Sequence, residues 1–419
     1  MSSAGHGAVP LGLSALRLYQ MHLVAISITF FACLDGLVWV RFHRLLRPLR
    51  HHRFWQSLLA CAMVTSILFS AELSTGSSTV LRAHHLIPQL IPSTIFVWHF
   101  LVLPMTIALL SAELAFRLIR RIYRRTRTES PLSPPSPSPA MISRRSFLTA
   151  SAFAAPPLAS VALGGIGIAQ LGKFRIKRYN LSLKDFPPGL DGLTIAFVAD
   201  VHAGIFSSQK MLDDIAEATN SLQADLILLG GDLVNISHTD LSSALDMVKR
   251  LKAPFGPYMV QGNHDVMGGA QEFNDACAAR DVPLLLNQVQ TIYPRGIPLQ
   301  LLGIIWTETG IAQHECVQSV LRQRDPEIFS ILLAHHPHAW YPAANEGVRL
   351  VLAGHTHGGQ IMLTKHIGAG PLRFRYWTGL YQDWEVGSKL IVNNGVGDWF
   401  PLRVNAPAEI VHITLHPET

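Results

Sequence analysis

The chain has 419 residues, of which 49% are hydrophobic and 15% charged, a length for two or more domains and a composition that places part of it in lipid. Its net charge of +6 joins two opposite regions: residues 1–180 hold 19 Lys/Arg against 4 Asp/Glu, and residues 181–419 hold 15 against 24. The basic total is therefore no argument for nucleic-acid binding, since an acidic region repels a polyanion except at a local metal-lined pocket; four cysteines without C-x-x-C spacing exclude a disulfide scaffold.

Residues 1–128 read as a membrane region with three predicted transmembrane helices, about Tyr19 to Val40, Gln56 to Leu73 and Thr94 to Phe116. At helical rise they reach about 27 to 34 Å, against a hydrocarbon core of about 30 Å. The middle one is short enough to be re-entrant or interfacial instead. Asp35, Glu72 and Glu113 lie in or beside these stretches, as a paired polar site or as helix-end charges. Cys33 and Cys61 read as small apolar packing residues, whereas Cys277 and Cys316 are free to pair or not. Arg41, Arg44, Arg47, Arg50 and Arg53 follow the first span, and six arginines from Arg117 to Arg127 follow the third. The positive-inside rule makes both loops cytoplasmic and predicts a multi-pass protein of the cytoplasmic membrane, its N-terminus outside.

Residues 129–142 are a Pro/Ser-rich linker. Residues 143–171 begin Ser143-Arg144-Arg145-Ser146-Phe147-Leu148 and continue as an apolar, Ala/Gly-rich fourth helix, similar to a twin-arginine export signal in an internal position. An ordinary fourth membrane helix predicts the same topology, with residues 172–419 on the outer face. Lys173, Arg175, Lys177 and Arg178 argue the other way and keep a cytoplasmic domain open.

From about Phe174 short apolar runs alternate with helical stretches. Strands are predicted at Leu193 to Ala199, Asp225 to Leu229, Tyr258 to Val260, Phe329 to Leu333 and Leu350 to Ala353, with helices at Gln209 to Leu222 and Leu241 to Leu251. Each strand is followed by a motif rich in metal-binding side chains. Loops at the carboxyl ends of strands in an α/β sheet converge on one rim, so distant motifs become neighbours. Asp200 and His202, two apart on a turn, reach one ion. Asp232, behind two glycines, suits a bridge between two ions. Asn263 offers a carbonyl oxygen, and His335, His355 and His357 offer imidazole nitrogens. With no thiolate in the set, a structural zinc site is disfavoured, and mixed O/N donors suit two divalent ions such as Mn, Fe or Zn. Two ions with the carboxylates of Asp200 and Asp232 leave a net positive site that favours an anionic phosphate.

Asp200-Val-His202, Gly231-Asp232-Leu-Val-Asn235, Gly262-Asn263-His264-Asp265, His335 and Gly354-His355-Thr-His357 together resemble the calcineurin-like metallophosphoesterase superfamily. Flanks such as Trp377-Thr378-Gly379-Leu380-Tyr381 and Pro401-Leu402-Arg403 are similar to its YkuE/YaeI-like branch of membrane-associated bacterial phosphodiesterases. The resemblance spans about residues 180 to 419. It implies an α/β fold for residues 172–419, a β-sandwich flanked by helices in α-β-β-α layers. It also implies one metal held by Asp200, His202, Asp232 and His357 and another by Asp232, Asn263, His335 and His355. The family's spacing of ligand, one residue and proline selects His335 over His336. By the same resemblance His264 contacts phosphate or protonates the leaving oxygen, and Asp265 orients the site.

The expected chemistry is in-line attack on phosphorus by a hydroxide bridging the ions. Arg373, Arg375, Trp377 and Tyr381 are candidate substrate contacts or a loop packed on the domain. The substrate expected is a phosphodiester or pyrophosphate, lipid-linked on the tethered reading, such as an acylated sugar nucleotide. Alternatives are a membrane sensor or transporter-like bundle with a phosphoesterase effector, and a non-catalytic interaction module. No nucleic-acid partner is expected, and the sequence names no protein partner.

Overall fold

The structure is a computed structural model that describes residues 29–41, 43, 46, 47, 51–74, 88–125, 144–235 and 237–418. The Pro/Ser-rich linker, the first ten residues of the first expected span, and Arg44, Arg50 and Arg127 lie outside these. The chain divides into two units, Met1–Val80 with Leu90–Gly165, and Leu81–Gln89 with Ile166–Thr419.

The described part of the first unit is helical: residues 29–41, His52–Ser74, and a run through Leu90–Val97, a π-helical turn Trp98–Val102, and Leu103–Arg125. Within that run Leu90–Tyr123, 34 residues, is the one helix among the described residues long and apolar enough to cross a membrane. Val38 and Leu103 are buried together with Phe31, Leu59 and Ile107 around them. One polar contact interrupts this packing. The Asp35 carboxylate, 1% exposed, accepts from Trp98 Nε1 at 2.9 Å and lies 3.2 Å from His99 Nε2. The π turn carries both partners, a placement typical of π-bulges at special sites. Glu113, in contrast, is a surface charge paired with Arg117 one turn on and with Arg41 at 3.7 Å. The side chain of Glu72 lies outside the described residues. Helix Arg144–Gln170 holds a shorter apolar stretch, Ala155–Gln170.

The second unit has eleven described strands in two sheets. The first sheet joins β1 (Phe174–Leu183), β11 (Ala408–Pro417), β2 (Leu193–Val198), β3 (Leu226–Leu229) and β4 (Phe255–Met259) in that order. The second joins β5 (Gln288–Ile292), β6 (Leu299–Gly303), β7 (Ser330–Leu333), β8 (Leu350–Ala353), β10 (Ser388–Val392) and β9 (Gly379–Asp383). Successive side chains of a strand point to opposite faces, and both faces here are apolar. Ile195 and Phe197 of β2 meet Leu301, Ile331 and Leu352 of the second sheet, while Ala196 and Val198 pack on helices Gln209–Ser221 and Leu241–Lys249. Leu332, Val351 and Leu390 pack outward on helices Gly310–Leu321 and Trp340–Asn345. The result is an α-β-β-α sandwich. Cys277 lies in the first outer layer and Cys316 in the other, so both sheets separate them and all four cysteines are free.

Candidate dinuclear metal centre

The loops after β2, β3, β4, β7 and β8 meet at one rim. Asp200 (φ 54°), His202 (φ 47°), Asp232 (φ 54°), His355 (φ 72°) and His357 (φ 49°) all have left-handed backbone. Non-glycine residues adopt this region rarely and at a cost. Here it turns each chain sharply at the end of its strand and aims the side chains into a common space. Two glycines are demanded by close approach: a Cβ on Gly262 would lie 2.0 Å from Asp232 Oδ1, and one on Gly354 2.4 Å from Asp200 Oδ2.

Donor atoms of Asp200, His202 and His357 fall within 4.8 Å of one another, and so do those of Asp232, His335 and His355. In the first group His202 Nε2 is 3.0 Å from His357 Nε2, which is 3.5 Å from Asp200 Oδ1. In the second, His335 Nε2 is 3.2 Å from both His355 Nδ1 and Asn263 Oδ1. Asp232 Oδ2 stands between them, 3.6 Å from His202 Nε2 and 3.1 Å from His335 Nε2. All seven expected ligands are thus brought together. Buried ring nitrogens facing one another across about 3 Å with carboxylates beside them are a donor set that fits two cations.

The electrostatics divide the expected ligands: burial would lower His335, but the Asp232 carboxylate pulls it up to about 9, whereas three other imidazoles and Asp232 are held deprotonated. Burial, then the imidazoles of His264, His335 and His202 respectively, hold His202, His355 and His357 well below the ordinary histidine range. Burial would raise Asp232, but His335 and His264 hold it well below the usual carboxylate range. Burial pushes Asp200 up to about 7.

His264 adjoins the bridge: its ring lies 4.6 Å from that of His202, and its N–H donates to Asp232 Oδ1 at 2.8 Å. Its Nδ1 bonds the carbonyl of Asn235, which can only accept, so Nδ1 carries the hydrogen and Nε2 is the ring atom left for other chemistry. Asp265 makes no such approach. Its carboxylate accepts backbone N–H groups of Asp232 (2.8 Å), Leu233 (2.7 Å), Val234 (3.2 Å) and Gly262 (2.8 Å), tying two ligand loops together. Burial and then the Asp232 carboxylate push its carboxyl up to about 7, against those donors.

The other candidates divide. Arg373 and Arg375 are exposed, over the rings of Phe374 and Tyr376, and the Phe374 ring lies 5.6 Å from His355. The Tyr381 hydroxyl accepts the N–H of Trp377 at 3.0 Å, and Thr356 Oγ1 donates to the Trp377 carbonyl at 2.8 Å, so these two hold the loop beside the last motif. His336 stacks 4.8 Å from His355, and burial, then His338, pushes it down to about 3.

Two contributors have no site role in the sequence reading, Arg403 standing there only as part of a flank. Arg403, 6% exposed, pairs with Asp398 at 2.8 Å, holds the carbonyls of Asn394 and Gly397, and reaches His357 Nδ1 at 3.1 Å. A lone arginine after Pro-Leu carries no local sign of burial. Trp306 lies 5.1 Å from the His355 ring and 5.4 Å from His335. Its signal was its position: it follows β6, a buried strand on the same rim.

The calcineurin-like phosphoesterase family profile matches residues 193–359. The metallophosphoesterase YkuE of Bacillus subtilis is 32% identical over 285 residues, covering 65% of this chain and 98% of that protein. Phosphodiesterase YaeI of Escherichia coli is 28% identical, covering 66% of this chain and all of YaeI. A transmembrane protein with metallophosphoesterase domain from Danio rerio is 28% identical, covering 56% of each.

Proposed function

The chain belongs to the calcineurin-like metallophosphoesterase family and is a metal-dependent phosphoester hydrolase; on that premise we propose that it cleaves a phosphodiester or pyrophosphate at a membrane surface, on a lipid-linked substrate such as an acylated sugar nucleotide. The observation that carries the chemistry is Asp232 Oδ2 standing between two groups of imidazole and carboxylate donors. The ions, when bound, supply the positive charge that draws a phosphate and lowers the pKa of water. Asp200, His202, Asp232 and His357 would hold one, and Asp232, Asn263, His335 and His355 the other. His264 Nε2 is placed to meet a phosphoryl or leaving oxygen, with Asn235 fixing its ring.

Tethering by Leu90–Tyr123 would confine this chemistry to the bilayer surface. Glu113 pairs with both Arg41 and Arg117, which supports one side for the two Arg-rich ends and, by the positive-inside rule, a multi-pass topology with the catalytic unit outside. Three of the four cations after the fourth apolar stretch, which argue otherwise, are engaged on β1: Arg175 pairs with Glu409 at 2.8 Å, Lys177 lies over Tyr179, and Arg178 reaches His412 at 3.2 Å. A twin-arginine route through Arg144 and Arg145 fits the same outward placement. A second reading, a membrane sensor with this hydrolase as effector, draws on the buried Asp35–His99 contact.

The test is turnover of bis(p-nitrophenyl) phosphate by the full chain with Mn²⁺, beside Asp232→Asn. The variant should fall to the uncatalysed level, and equal turnover in both would overturn the two-ion reading. A reporter fused after Thr419 reads the side of the membrane.

A further inference from the structure

Residues 361–375 follow the last ligand motif and contain no Asp or Glu, in a region where acids outnumber bases 24 to 15. Their base is fixed. Leu363 N–H donates to Ile367 O at 2.8 Å, Ala369 N–H to Ile361 O at 3.0 Å, Met362 N–H to Val404 O at 2.9 Å, and Asn405 Nδ2 to Met362 O at 2.8 Å. Met362 is buried beneath. This fixed loop nevertheless turns large aliphatic side chains outward: Leu363 is 73% exposed, Ile367 60% and Leu372 88%. Exposed cations Lys365, Arg373 and Arg375 lie among them. Aliphatic groups held in the open by an ordered backbone mark an interaction surface. With cations interleaved and no acid among them, they match an anionic bilayer, whose acyl boundary takes the aliphatics and whose phosphates take the charges. A bilayer is also the surface that a spanning Leu90–Tyr123 helix would keep at hand.

The loop leads straight to the metal centre, because Phe374, next to Arg373, has its ring 5.6 Å from His355. We infer that residues 361–375 are a bilayer-docking lip of the metal centre, seated on anionic phospholipid, through which phosphate esters of the headgroup layer reach the ligands. The substrate half of this rests on the phosphoesterase reading; the docking half does not.

The test uses the full chain in nanodiscs, with Cys33 and Cys61 replaced by alanine and one fluorophore placed through Leu363→Cys, Leu372→Cys or, as a remote control, Lys210→Cys, whose native side chain is 82% exposed. Buried Cys277 and Cys316 stay. Phosphatidylglycerol brominated on its acyl chains should quench the probes at 363 and 372 about twofold and leave that at 210 unchanged. Adding Lys365→Glu should weaken quenching of the 372 probe in phosphatidylglycerol, and no change would overturn the headgroup pairing. Equal quenching at 363, 372 and 210 would overturn docking. So would a signal at 363 and 372 that follows protein concentration instead of lipid, which would assign the face to a second copy. Turnover of bis(p-nitrophenyl) phosphate with Mn²⁺ is read on the same samples. Lost turnover with quenching intact counts against the phosphoesterase reading alone, and lost quenching with turnover intact counts against docking alone.

Discussion

Asp265 and Arg403 show how much of the centre depends on side chains that hold no ion. The four N–H groups gathered by Asp265 belong to both the Asp232 and the Asn263 loops. Asp265→Asn leaves one oxygen to accept and turns an NH₂ against the remaining donors. We expect a loss of about 3 kcal/mol or more in denaturant unfolding and weaker metal retention by elemental analysis. Arg403→Met strands the buried Asp398 carboxylate, whose pKa burial already raises against the pull of Arg403. The expected cost is about 3–5 kcal/mol in the same measurement, with Arg403→Lys recovering only part because one ammonium cannot serve the acceptors of a planar guanidinium. The donor residues that the structure brings together were legible in the sequence because their residue types recur behind strands. Of the two supports, Asp265 is expected from the resemblance as an orienting residue, though not which N–H groups it gathers, whereas the role of Arg403 is not, because a buried arginine has no spacing to recognise.

At the scale of elements, an unbroken apolar run is legible as a strand, whereas β6 and β10, buried throughout but interrupted by Gln300 and Lys389, are not. Leu350–Ala353 is apolar throughout and is found where its composition puts it. β4 begins at Phe255, ahead of its predicted start at Tyr258, because Gly256-Pro257 reads as a breaker. On the edge of its sheet, however, a residue without an N–H is tolerated. β1, β5 and β9 alternate in exposure and offer little apolar run, and the sequence marked none of them as strands. The loops between strands are tighter than composition reveals. Gly262→Ala would drive a methyl into Asp232. We expect kcat to fall about 100-fold or more, since displacing a reacting group by about 1 Å is enough for that. Far-UV circular dichroism should stay that of the parent; a global loss of structure would refute a purely local effect.

Over the whole catalytic unit, ions that bind only the folded chain should stabilise it. At 1,000 times the dissociation constant the gain is about 4 kcal/mol, and calorimetry should show a chelator lowering Tm on the order of 10 °C, with Mn²⁺ restoring it. The sandwich layers could be expected from the resemblance, but the sheet order could not, because β11 slots between β1 and β2 and pairs residues 234 apart, a separation that leaves no local pattern. That one strand also sets a timetable. Val396 and Gly397 brace the carbonyls of Ala199 and Asp200, and Glu409 at the start of β11 holds Gly395. Until residues 408–417 have been synthesised, the first sheet is open and the first ligand loop has no backing, as is general for folds built on distant contacts. The donor set is therefore completed late. With donors that suit several divalent ions, the compartment in which folding finishes would set which metal is offered to it.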